Sequence, residues 1–285
     1  MTYANFINHV LGRNDEYLAN IRLHDDLMTY LRKYNSEDSL PLMKSDRNLL
    51  SFSNGVLCLS TQKFHLYAVP LPDYIVGRVA RHHIPCLYTG STDTPLMDRI
   101  LRHQFEEGDG RIEQLFAMIG RTFFKIRERD SWDVMAMLLG ERKTGKSTIL
   151  AIIAAMFNPA SVGEIEDNRF GLQKTYNKEL VLIRDAPAKI SKILSQEVFQ
   201  KMVCGERINV KIKYNSPIAC IWSTPLFMES DTMMDYDDGR GQISRRVVIF
   251  RFEKLLSPDS IDPTLSERII TTELPNIVAR CLQGN

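Results

Sequence analysis

Over residues 1 to 40, apolar side chains recur at helical spacing (Phe6, Val10, Leu18, Ile21, Leu27, Leu31) among many charges, until Ser36-Glu37-Asp38-Ser39 interrupts them. The pattern then changes. Residues 49 to 59 read as two short strands about an Asn54-Gly55 turn, the strongest short hairpin signal a sequence offers, so a small mixed module is predicted over roughly 41 to 90. From Thr94 to Phe124 apolar residues return at helical spacing (Met97, Ile100, Leu101, Phe105, then Ile112, Leu115, Phe116, Ile119). Gly108-Asp109-Gly110 breaks them into a helical hairpin, and Phe116, Met118, Phe123 and Phe124 read as core. After Asp130 strands and helices alternate to about residue 205, the signature of an α/β fold with a parallel sheet. The expected organisation is a mixed N-terminal module at 1–92, a helical hairpin or collar at 93–128, an α/β core at 129–262 and a C-terminal helix at 263–285. The run from Leu274 to Cys281 reads as a helix cut short.

Composition narrows the function. A chain of 285 residues, 44% apolar, suffices for one large core or two linked ones. Its 36 basic and 35 acidic residues leave a net charge of +1, which excludes a histone-like binder and makes any nucleic-acid contact local. The five cysteines (Cys58, Cys86, Cys204, Cys220, Cys281) are widely spaced and contain no C-x-x-C pair, which argues against a disulfide framework or zinc ribbon and for a reducing, intracellular compartment. No stretch approaches the ~18 to 20 apolar residues of a membrane span. Arg81-His82-His83-Ile84-Pro85-Cys86 lacks a second ligand pair at zinc spacing and reads as a loop, and Asp235 to Asp238 as a solvated turn.

The sharpest motif lies in the predicted core. An apolar strand from Trp132 to Leu139 leads into Gly140-Glu-Arg-Lys-Thr-Gly145-Lys146-Ser147, and an apolar helix runs from Ser147 to Phe157 before Asn158-Pro159. Strand, glycine loop and helix in this order make a phosphate cradle. Glycines let backbone amides turn inward at a helix N-terminus, Lys146 reaches the β and γ phosphates of ATP, and Ser147 ligates Mg²⁺. Gly140, Thr144, Gly145, Lys146, Ser147 and Thr148 are therefore the candidate nucleotide-binding residues. The next apolar strand, Leu180 to Ile183, ends in Arg184-Asp185. Asp185 is the candidate metal-binding or water-activating carboxylate, the competing reading being a cap for the turn at Pro187.

Three further segments resemble superfamily 3 helicases, and among them the poxvirus and giant-virus primase-helicase family: Phe170-Gly171-Leu172 before Lys178-Glu179-Leu180-Val181, then Gln200 to Glu206, then Ile208 to Tyr214. The Asn54 to Leu57 strand and the helices from Thr94 to Arg121 look like that family's region upstream of its motor, so the resemblance runs from about Asp46 onward. It implies a P-loop motor domain related to AAA+ ATPases and a homo-oligomeric ring, a hexamer, that hydrolyses ATP between subunits and unwinds DNA during viral replication. It also implies single-stranded or forked DNA, and a primase domain or subunit, as partners.

By the same resemblance, Ile208 to Tyr214 and Ile218 to Trp222 form a hairpin about Asn215-Ser216-Pro217, with Lys211, Lys213 and Tyr214 near its tip as DNA contacts. Thr224 to Asp231 fits the sensor strand and Arg246 to Phe252 the strand behind an arginine finger, which is Arg246. Without the resemblance, the two lysines read as a solvated ribbon edge and Arg245-Arg246 as a surface ion-pair site. The chain departs from the family pattern twice: Arg184 stands where the first of two adjacent acids is usual, and Asp231 where the sensor asparagine is usual. A carboxylate gained at 231 would offset the one lost at 184. Lys146, Asp185, Asp231 and Arg246 are thus the expected catalytic set. The rival expectations are a P-loop phosphotransferase, against which the hairpin, sensor and finger argue, and a nucleotide-binding structural subunit, which Arg184 favours.

Overall fold

The computed structural model describes residues 44–165, 171–257 and 262–283. The helical spacing read over residues 1 to 40, and Phe170, lie outside the described residues. The chain divides into two compact units, one of residues 46–73 and 80–285 and the other of residues 1–45 and 74–79. Of the second, residues 74–77 form a turn, closed where Arg78 N donates to Ile75 O at 3.0 Å.

The strands form a four-stranded sheet, a five-stranded sheet and a two-stranded ribbon. In the four-stranded sheet, β1 (Lys44–Phe52), β2 (Gly55–Cys58), β3 (Lys63–Leu66) and β4 (Arg78–Ile84) lie in the order β3-β2-β1-β4. The Asn54-Gly55 turn joins β1 to β2 with Phe52 opposite Gly55. The segment from Arg81 to Ile84, expected as a loop, is part of β4, where His83 Nδ1 lies 2.8 Å from Ser51 Oγ on the neighbouring strand. Alternate residues of an edge strand can be polar without breaking its ladder, and this hides such a strand in the sequence.

The second sheet holds five strands: β5 (Met135–Leu139), β6 (Val162–Glu164), β7 (Leu180–Ile183), β10 (Leu226–Ser230) and β11 (Val247–Arg251), ordered β11-β5-β10-β7-β6. Every pair in it is parallel. Both faces are buried, which explains the continuous apolar runs. Ala136, Leu138, Leu180, Leu182, Phe227 and Phe250 pack on one face with helices α1 (Pro95–Gln104), α2 (Arg111–Arg121), α3 (Lys146–Ala155), α5 (Leu265–Thr272) and α6 (Leu274–Gln283). Met137, Val181, Ile183, Leu226 and Met228 pack on the other with α4 (Gln196–Val203) and the ribbon of β8 (Arg207–Val210) and β9 (Ile218–Ile221). The fold is thus α/β, a parallel sheet between helical layers. Among the described residues no helix is long and apolar enough to cross a membrane.

Helix α1 follows the rules for a stable start: Pro95 enters at the first turn, Asp98 faces the positive helix end, and Arg102 and His103 the negative one. The Glu273 carboxylate, buried between α5 and α6, accepts from Leu96 N at 2.7 Å and Met97 N at 3.0 Å and completes the cap. Strand β5 is shorter than expected and begins at Met135. Arg121 takes the Trp132 and Val134 carbonyls at 2.7 and 3.1 Å, and Trp132 lies exposed, so those backbone acceptors are spent outside the sheet.

Candidate functional site

In a parallel sheet the loops after the strands gather at one edge, and here three of them meet. Gly140 to Gly145 leaves β5 and opens α3, Arg184-Asp185 leaves β7, and Asp231 leaves β10, which runs between β5 and β7. A cleft of about 1130 Å³ spans this edge, walled by Gly145 to Thr148, Asp185 and Asp231 on one side and by Arg99, His103, Leu255 and Arg268 on the other.

The β5–α3 loop is built by close approach. Gly140 packs so tightly on the backbone of Phe252 that a Cβ there would lie 1.9 Å from the Phe252 carbonyl oxygen. Gly145, at φ 97°, turns the chain into α3 through a left-handed conformation that favours glycine. No side chain caps α3, so its first amides face the cleft, the arrangement that binds anions at helix N-termini. Buried Gln104 of α1 braces the loop, donating to Thr144 O at 3.0 Å and Lys254 O at 2.7 Å and accepting from Lys254 N at 3.0 Å. Thr144 Oγ1 donates to Glu141 O at 2.8 Å.

Lys146 is almost fully buried, and its Nζ donates to Gly140 O and Glu141 O, both at 2.6 Å. The same ammonium lies 3.3 Å from Asp231 Oδ1, and Arg142 Nε lies 3.3 Å from Asp231 Oδ2. Asp231 is 41% exposed, so solvent screens both pairs. Ser147 Oγ donates to Glu229 Oε2 at 2.9 Å. Burial pushes the Glu229 carboxyl above its ordinary range and the Asp185 charge adds to this, against the Ser147 hydrogen bond and the charges of Arg184 and Lys146.

Asp185 is exposed and left-handed at φ 44°, a conformation aspartate tolerates. The turn carrying it is tied to β10, because Ala186 N donates to Glu229 O and Ser230 Oγ to Ala186 O, both at 3.0 Å. Arg184 turns to the Glu164 carboxylate of β6 at 2.8 Å.

The structure therefore brings Gly140, Thr144, Gly145, Lys146, Ser147, Asp185 and Asp231 to one edge, with Thr148 lining the cleft. The expected offset of Arg184 by Asp231 is not the local arrangement: Asp231 engages Lys146 and Arg142, and Arg184 engages Glu164. Sequence reasoning missed Glu229, Gln104 and Arg142. Glu229 had a signal, a lone carboxylate inside an apolar run that reads as a buried strand, since a buried charge is the informative exception.

Of the remaining candidates, Arg246 lies at the opposite edge. Arg246 directly precedes β11, whose Val247 pairs with Met135 at the start of β5. At about 3.3 Å per residue it sits roughly 20 Å from the loop after β5, beyond the reach of its own side chain. Arg246 Nε donates to Cys204 Sγ at 3.1 Å and Nη1 to Gln242 O, while Arg245 beside it is exposed. The turn that presents both is organised by Asp238, which accepts from Ile243 N at 2.6 Å and Ser244 N at 3.2 Å; these bonds hold its carboxyl below the usual range. The segment expected as a solvated turn thus orders the arginines.

Strand β8 stops at Val210, so Lys211, Lys213 and Tyr214 stand in the turn rather than in the strand expected to reach residue 214. Lys213 N donates to the Gln173 side chain at 2.9 Å, which draws the backbone out of the ladder. Tyr214 is left-handed at φ 63° and 91% exposed, with Lys213 Nζ 5.0 Å from its ring centre. An aromatic so exposed beside two lysines offers a stacking surface and positive charge together.

Residues 138–246, less than half of the chain, match the model of a family of unknown function, DUF5906; the match runs from the end of β5 to Arg246. Among solved structures, the chain is similar to the A form apo structure of the NrS-1 C terminal region, with 14% identity and a TM-score of 0.51 over 67% of this chain and 45% of that one. A second apo structure of that region, residues 305–718, gives the same identity and TM-score over 67% and 46%. The chain spans less than half the length of these structures, and at this identity the likeness is one of fold.

Proposed function

We propose that this chain is an ATP-hydrolysing motor of the superfamily 3 helicase kind, which assembles as a homo-oligomeric ring, a hexamer, and translocates on DNA in viral replication. One observation carries the reading: Gly140–Ser147, Asp185 and Asp231 follow three adjacent strands of a parallel sheet and converge on one cleft, while Arg246 lies at the opposite edge. The order β11-β5-β10-β7-β6, with the strand before the phosphate loop flanked by β11 and β10, suits a P-loop motor related to AAA+ ATPases.

In this reading the α3 amides and Lys146 hold the β and γ phosphates of ATP, and Asp231, now paired with Lys146 and Arg142, senses the γ phosphate through them. The oxygen donors at Ser147 and Asp185 fit Mg²⁺, which neutralises charge on the phosphates when bound. Among the described residues no group of three or more His, Cys, Asp or Glu gathers to hold a metal by itself. A nucleotide-bound Mg²⁺ needs none, because phosphates and water supply most of its ligands.

Arg246, out of reach of its own loop, acts on the nucleotide of a neighbouring subunit, and its tether to Cys204 and Gln242 pre-orients the guanidinium. A self-contained phosphotransferase has no use for an arginine so placed. The alternative of a structural subunit rests on Arg184, which is paired with Glu164.

Lys211, Lys213 and Tyr214 grip single-stranded DNA, the lysines at phosphates and the tyrosine against a base. Stacking on an aromatic is worth about 1 to 3 kcal/mol per base, so Tyr214→Ala should weaken binding of a single-stranded oligonucleotide roughly 5- to 150-fold. Lys213→Ala should reduce the slope of log K against log salt by about 0.7, the loss of one phosphate contact. Fluorescence anisotropy across a salt series measures both. Affinity and slope unchanged in both variants would return the turn to a solvated ribbon end.

A further inference from the structure

We infer that Glu229, carried on β10 beneath Ser147, is the carboxylate that sets the affinity of this site for its divalent cation. The inference rests on the nucleotide-site reading above.

Strand β10 lies between β5 and β7, and Met228 is level with Met137 on one side and Ile183 on the other. One residue further, Glu229 is level with Leu138 and with Arg184. Side chains alternate along a strand, so Glu229 shares the face of Phe227, which packs with Leu138, Leu182 and the α3 residues Ile149 and Leu150. That face meets the first turn of α3, and Ser147 Oγ donates to Glu229 Oε2 across it at 2.9 Å. Arg184 belongs to the same face, one strand away, and swings out to Glu164.

Among the described residues no other acid hydrogen-bonds Ser147. Asp231 pairs with Lys146 and Arg142, and Asp185 is exposed. Glu229 is 2% exposed, and Ser147 hydrogen-bonds one of its oxygens. A buried carboxylate charge is costly unless a cation compensates it. By taking the Ser147 hydrogen, Glu229 also turns the hydroxyl lone pairs toward the cleft, where a hard, oxygen-seeking ion such as Mg²⁺ binds. Glu229 is therefore a positioning residue for Ser147 and a source of compensating charge.

The test uses Mn²⁺ as the probe, titrated into the full chain with saturating ADP and followed by the electron paramagnetic resonance of the free ion. Glu229→Gln keeps the shape and an acceptor for Ser147 but removes the charge. Its Mn²⁺ affinity should fall about 10- to 100-fold, the usual loss for a partner behind a metal ligand. ADP affinity in EDTA should stay at the wild-type value, which also reports that the variant is folded. Mn²⁺ affinity within about two-fold of wild type would overturn the inference while leaving the nucleotide site intact. A wild-type chain that binds no ADP, with or without metal, would overturn the nucleotide-site reading and this inference with it. Should glutamine at 229 unfold the chain, Glu229→Asp carries the test: retreat by one methylene should weaken Mn²⁺ several-fold, and unchanged affinity would overturn the inference.

Discussion

Chains carrying Arg246→Ala and chains carrying Lys146→Ala should each be inactive as ATPases alone and regain hydrolysis when mixed. The expectation follows from where the two residues lie. Lys146 is at the edge where the parallel strands end and Arg246 at the edge where they begin. In a head-to-tail ring each interface pairs the loop of one subunit with the arginine of the next. A 1:1 mixture then restores about a quarter of the interfaces, those with an intact Lys146 facing an intact Arg246. An arginine supplied in trans is worth about 10³ to 10⁵ in rate, so a quarter of the sites stands far above the background of either variant. Subunits are first dissociated by dilution, and rate is followed against mixing ratio where light scattering shows assembly. Arg245→Ala in parallel identifies which member of the pair acts, since Arg245 is exposed and Arg246 is held by Cys204 and Gln242. Full activity of both arginine variants alone would remove the shared site.

Lys146→Ala is expected to reduce steady-state hydrolysis by at least about 10²- to 10³-fold, the loss that follows removal of one pre-placed donor from a buried charge-stabilising site. The ammonium is nearly inaccessible and already lies over the loop, held by two carbonyls that an incoming phosphate can replace. Among the described residues the other lysine lining the cleft, Lys143, stands at an exposed, left-handed position on the loop rather than buried over it. Malachite-green assay of released phosphate measures the rate, and the wild-type melting temperature serves as the fold control. Turnover within about two-fold of wild type would remove the phosphate-site reading, given the size of the effect expected.

The parts of this site that are contiguous were legible in the sequence. Gly140 to Ser147 carries its geometry within eight residues, and an apolar strand and helix on either side fix its context. The Asn54-Gly55 hairpin and the helices about Met97 and Leu115 were legible for the same reason, since local periodicity determines each of them. What escaped depends on pairing between distant segments. Glu229 acquires its role only when β10 inserts between β5 and β7 and sets the carboxylate under Ser147. Gln104 reads as one more polar residue on α1 until its amide is seen to join Thr144 and Lys254, 40 and 150 residues away. The turn after β8 is longer than expected because Gln173 captures the Lys213 amide, and β5 is shorter because Arg121 captures two carbonyls. In each case a side chain competes with the ladder for a backbone group, a contest that strand propensity does not record.

The most direct test of the central claim is the rate of ATP hydrolysis by the purified chain in Mg²⁺, titrated with single-stranded DNA and measured where light scattering reports the oligomer. A motor with a shared site predicts Mg²⁺-dependent phosphate release that rises with DNA to saturation and falls steeply when dilution dissolves the ring. Absence of Mg²⁺-dependent hydrolysis by the assembled chain, with DNA and without it, would contradict the account.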